Sequence, residues 1–112
     1  MQIESESLDG GVLKIKLAGR MDVQGTQEID VKFAAYASRQ QAVVVDMSAV
    51  DFLASIGIRT LLLTAKAISQ RGGKMVLLEP DTNVTHILEM AGIDTLIPIC
   101  RSLADARAAV DA

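Results

Sequence analysis

Ser55 is the side chain in this chain whose setting most directly implies chemistry. It sits in Leu53-Ala54-Ser55-Ile56-Gly57, after the β-branched run Val43-Val44-Val45 and before an apolar pattern at helical spacing, Ile58, Leu61, Leu62, Ala65 and Ile68. A hydroxyl delivered by a loop from a strand to a helix start supports three readings. As an N-cap it would accept an N–H of the first turn, and its loss would cost about 0.5–2 kcal/mol. As a phosphorylation site it would place an anion beside free N–H groups and the positive helix end. As a nucleophile it would need the strand–serine–helix elbow, G-x-S-x-G. The elbow fits worst, because Leu53 stands where the first glycine belongs. The chain order Ser55, Asp81, His86 also puts the last two in or beside one short helix, in a domain too small to shape a substrate cleft.

Asp22, in Gly19-Arg20-Met21-Asp22, opens a second candidate loop at the same edge; alone it reads as a turn or helix-start residue. Its spacing from Ser55 does not say whether the two meet. Gly25, Gly72 and Gly73 match neither G-x-x-x-x-G-K-S/T nor G-x-G-x-x-G. His86 reads as an exposed helix histidine and Cys100 as a small buried hydrophobe. Met21, Met47, Met75 and Met90 read as core filler, although Met21 and Leu53 fall in the two candidate loops.

Composition narrows the classes. The 112 residues carry a formal charge of −3 and 22% charged residues, with a sequence pI near 5.0. That balance argues against disorder and against nucleic-acid binding, which needs clustered Lys and Arg. Aromatics are 3%, Phe33, Tyr36 and Phe52, too few for a base-stacking platform, so the core must be aliphatic. One Cys and one His exclude an internal disulfide and a multi-cysteine zinc site, and no cofactor or metal is expected. The start, MQIESESLDGG, is acidic and does not read as a signal peptide, and no apolar run approaches ~18 residues. The expectation is a cytoplasmic protein without membrane insertion.

The elements that must position these residues follow from periodicity. Alternation over 2–8 and 12–18 around Asp9-Gly10-Gly11 predicts a hairpin. A helix is expected over 25–39, a doubly buried strand at Ala42 to Val45, and a helix from about Ser55 to Gly72-Gly73. Then come a strand Met75 to Leu78, a helix from Val84 to Gly92, a last strand Leu96 to Ile99 with Pro98 suiting a sheet edge, and a helix begun at Ser102. The order β-β-α-β-α-β-α-β-α predicts one α/β domain over 1–112, a mixed, mostly parallel sheet with helices packed on it.

In Leu17-Ala18-Gly19-Arg20-Met21-Asp22, Val43-Val44-Val45-Asp46-Met47-Ser48 and Val50-Asp51-Phe52-Leu53-Ala54-Ser55-Ile56-Gly57-Ile58, the chain resembles the STAS family of anti-sigma-factor antagonists over essentially its full length. The family patterns are L-x-G-x-h-D, with h apolar, and V-x-F-h-D-S-S/T-G-L. The resemblance implies partner switching. The unphosphorylated antagonist binds an anti-sigma factor that is also a serine protein kinase of the histidine-kinase-like ATPase type, and so frees a sigma factor. Phosphorylation ends binding, and a metal-dependent, PP2C-type phosphatase restores it. The modified serine falls on Ser55, the loop aspartate on Asp22 and the helix-start glycine on Gly57. The implied partner surface is Met21, Asp22, Leu53, Ala54, Ser55, Ile56, Gly57 and Arg59. Two positions depart from the pattern: Ala54 replaces the aspartate before the serine, and Ile56 replaces the second hydroxyl residue. An assembly role without a switch, as in a lipid-transport ABC system or a signalling scaffold, is the alternative. In it Ser55 would only cap a helix and Gly57 would only permit close packing.

Overall fold

The computed structural model describes residues 1–111. Strands β1 (Gln2–Leu8) and β2 (Val12–Met21) form an antiparallel hairpin across a 3₁₀ turn at Asp9–Gly11, in which both glycines take positive φ. There follow α1 (Val23–Ala37), β3 (Ala42–Leu53), α2 (Ser55–Gln70), β4 (Lys74–Leu78), α3 (Thr82–Met90), β5 (Ile99–Cys100) and α4 (Leu103–Asp111). The five strands lie side by side in chain order, and all pairs after the hairpin are parallel. This is the mixed α/β sheet that the element order implies.

Period-2 alternation divides the strand side chains between two faces. Leu13, Ile15, Leu17, Val43, Val45, Met47, Met75 and Leu77 join residues of α1, α2 and α3 in the larger core, where Phe33 is fully buried. Val12, Val44, Val76 and Leu78 face the other way and are covered by Ala106 and Val110 of α4. The accessible surface, 5966 Å², is close to what a chain of this mass leaves exposed when folded.

Four elements differ from expectation. The third strand does not end at Val45 but runs to Leu53, and β2 likewise reaches Met21. The β2–β3 register slips at Lys16/Ala18 and again at Gly19/Arg20, so β3 carries two extra residues there. Each bulge turns the following residues over. Met47, Val50 and Leu53 therefore all reach the core although they stand three apart. The first bulge is held by Asp46, whose Oδ1 accepts the Ser48 N–H at 2.9 Å while its Oδ2 lies 3.7 Å from Lys14 Nζ. Helix α1 starts and ends two residues earlier than expected, because Asp22 caps it. The last strand is only Ile99–Cys100. Ile93–Thr95 is a 3₁₀ turn and Leu96 is exposed, although the Pro98 carbonyl still accepts the Leu77 N–H at 2.9 Å. Met90 is exposed at the end of α3, not core. No described helix is long and apolar enough to cross a membrane.

Candidate functional site

The parallel β2–β3 pair ends at Met21 opposite Leu53, so the next residues of both strands leave from one place. The Ala54 N–H donates to the Met21 carbonyl at 3.0 Å and ties the start of α2 to the end of β2. Asp22 and the Ala54–Ser55 segment are thereby neighbours at the carboxyl edge of the sheet, where α/β proteins place ligands and partners.

Asp22 is the N-cap of α1, its Oδ1 accepting the Gly25 N–H at 2.8 Å. Its Oδ2 accepts Arg20 Nε–H at 3.1 Å, and the Arg20 guanidinium stacks 3.9 Å above the Phe52 ring. The Gly25 amide is the main cause of a carboxyl pKa below the usual carboxylate range; partial desolvation opposes it and Arg20 adds to it. A depressed carboxyl contributes stability above its unfolded pKa, about 3.9, and that contribution is lost as pH falls through the folded value. Asp22→Asn keeps a cap acceptor without the charge. Urea titrations from pH 7 to pH 2.5 should show the wild type more stable at neutral pH, the gap closing below pH ~4. A gap independent of pH would show that the charge contributes nothing.

Ser55 is not the cap. Ala54 holds the N-cap position with extended φ −94° and ψ 169° and no side-chain bond, and Ser55 is the first helical residue, exposed. The helix starts on the Ala54 carbonyl, which accepts from Gly57 N–H at 3.0 Å and Ile58 N–H at 3.1 Å. The Ser55 hydroxyl is therefore free of the capping duty that would compete with modification. Asp81 caps its own helix through the Val84 N–H at 2.7 Å and His86 is exposed; no hydrogen bond among the described residues joins Ser55, Asp81 and His86.

The expected partner residues separate into two layers. Asp22, Ala54, Ser55, Ile56 and Arg59 reach the surface at least in part. Met21 and Leu53, expected in loops, are strand residues with 0% and 3% exposure and offer a partner no side-chain surface. They form the floor instead. A Cβ on the buried Gly57 would stand 2.8 Å from both Leu53 Cδ1 and Met21 Cγ, so the glycine lets α2 lie against that floor. Ile56 and Arg59 line one end of an open groove of about 580 Å³ between α1 and α2, with Asp30 and Leu63 further along it. Arg20 and Phe52 were not singled out by spacing, because their stacking exists only through the strand register.

The STAS domain family model matches residues 5–106. The anti-sigma F factor antagonist of Paenibacillus polymyxa is 29% identical over 101 residues, covering 88% of this chain and 86% of that protein. The crystal structure of an anti-sigma factor antagonist from Mycobacterium paratuberculosis superposes with a TM-score of 0.85 at 27% identity, over 99% of this chain and 94% of that one. SpoIIAA of Bacillus shares the fold at 17% identity in both its unphosphorylated form (TM-score 0.78; 98% of this chain, 96% of that one) and its phosphorylated form (TM-score 0.70; 97% and 99%). With the family model spanning all but the ends of the sequence, the chain belongs to the STAS domain family.

Proposed function

We propose that this protein is an anti-sigma-factor antagonist switched at Ser55. Unphosphorylated, it docks through Asp22, Ala54, Ser55, Ile56 and Arg59 on an anti-sigma factor that is also a serine kinase of the histidine-kinase-like ATPase type, and a sigma factor is released. Phosphorylated, it lets go, and a PP2C-type phosphatase resets it. The site is a surface, not a catalytic centre, and it works in the cytoplasm.

The observation that carries this reading is the exposed, uncapped Ser55 on the first turn of α2, beside Asp22 through the β2–β3 register. The antagonists of Paenibacillus polymyxa and Mycobacterium paratuberculosis support the general role. SpoIIAA, with its two forms, supports a fold that accommodates phosphorylation. A phosphate would move the formal charge from −3 to about −5 and set a dianion beside Asp22. Docking would have to desolvate that dianion beside a carboxylate that repels it, so the modification disturbs docking. The assembly alternative assigns Ser55 to capping, but the N-cap position belongs to Ala54 and Ser55 is already helical.

The test is incubation with the cognate kinase and ATP, with the site mapped by mass spectrometry. Label should appear on Ser55 and vanish in Ser55→Ala, and Ser55→Asp should weaken docking at least about tenfold. An unlabelled Ser55, with docking indifferent to Ser55→Asp, would sink the switch. A pulled-down transporter ATPase in place of a kinase would favour the assembly role.

A further inference from the structure

We infer that Arg59 is the internal receptor of a phosphate on Ser55, so that the modification both adds an anion and withdraws a cation from the docking surface. This rests on the switch reading above and specifies its chemistry. Ser55 and Arg59 stand one turn apart on α2, both exposed. Side chains at i and i+4 are neighbours, their Cβ atoms about 5–6 Å apart. Helical side chains lean toward the N-terminus, so the long Arg59 side chain is able to reach back over the Ser55 turn. An anion four residues before a cation is the favoured order of such a pair. A phosphate also presents several acceptor oxygens to the planar guanidinium fork, which binds such groups in a bidentate manner.

The other charged groups near the site are engaged or of the wrong sign. Arg20 is held by Asp22 at 3.1 Å and by the Phe52 ring at 3.9 Å. Asp30, on α1 across the groove, accepts the Thr60 hydroxyl at 3.4 Å. Asp22 and the exposed Asp51 would repel a phosphate. Among the described residues the Arg59 side chain has neither an ion pair nor a hydrogen bond, although it lines the same groove as Ile56. In the unmodified protein it is therefore a free cation, available to a carboxylate of the partner. In the modified protein it folds back onto its own helix.

The test needs no kinase. Phosphoserine is installed at position 55 during synthesis by genetic-code expansion, and its titration is followed by ³¹P NMR. The pair should hold the phosphate's second pKa down. Arg59→Gln should raise it by about 0.2–0.4 units, with the depression partly restored in Arg59→Lys, which keeps the charge and loses the fork, and untouched in Arg20→Gln. The same titration in wild type and Arg59→Gln, or a shift produced by Arg20→Gln in place of Arg59→Gln, would overturn the assignment. Kinase labelling reports separately on the switch. A shift without labelling keeps the pair and removes the switch; labelling without a shift keeps the switch and removes Arg59.

Discussion

Gly25→Ala is expected to lower stability by about 2–3 kcal/mol, a fall in Tm of about 10 °C for a chain of this size. By local propensity the change should help, since Ala is worth about 1 kcal/mol over Gly inside a helix. Contact decides against it. A Cβ at Gly25 would overlap the Arg20 carbonyl oxygen and stand 2.8 Å from Met1 Cγ. The carbonyl belongs to β2 and cannot yield without shifting the strand that carries Met21 and leads into Asp22. The same displacement would lengthen the bond from the Gly25 N–H to Asp22, which caps α1. Thermal and urea unfolding of the variant check the magnitude. A variant as stable as the wild type would show that the first turn of α1 can move off the strand at little cost.

Ile56→Asp should leave the fold nearly intact and remove docking. Ile56 is half-buried, but it is not among the side chains packed against the main core; it lines the end of the α1–α2 groove. It is also the second residue of α2, where a carboxylate is favourable to the helix dipole. Its stability should therefore change by less than about 1 kcal/mol. At a partner interface the same carboxylate would be desolvated where an aliphatic side chain should pack, and it would draw Arg59, on the same groove, away from the partner. A loss of 2 kcal/mol or more, typical of an interface centre, corresponds to at least about 30-fold weaker binding. Circular dichroism melting and titration against the partner kinase separate the two effects. A collapse in Tm would make Ile56 a core residue; full affinity with an intact fold would move the docking centre elsewhere.

Several elements were legible because their signals are local. The Val12 to Leu17 alternation, the Val43–Val45 run and the helical stripe Ile58, Leu61, Leu62, Ala65, Ile68 each declare their element within one window, and each is found. The far half of β3 was not legible, for a physical reason. Its core residues Met47, Val50 and Leu53 stand three apart because two bulges each insert a residue, and that spacing mimics a loop or a helix rather than a strand. The same irregular spacing reads Met21 and Leu53 as loop residues, whereas they are the buried floor of the site. Ser55 was likewise expected either to cap or to be modified; the position of the cap, one residue earlier, depends on where the strand lets go.

By itself the sequence determined the order of the elements, the two-faced sheet, the aliphatic core and the family motifs, since each depends on neighbours within a few residues or on composition. The tertiary structure alone decided that Asp22 and the Ala54–Ser55 segment are neighbours at that edge, that Arg20 lies on Phe52, and that Gly25 and Gly57 stand where a Cβ would collide. These relations join residues up to 36 positions apart, such as Gly57 and Met21, through a register set by two bulges and a parallel crossover. Spacing along the chain carries no record of that register, because a parallel pair is aligned by the packing of α1 between its strands and not by a short turn.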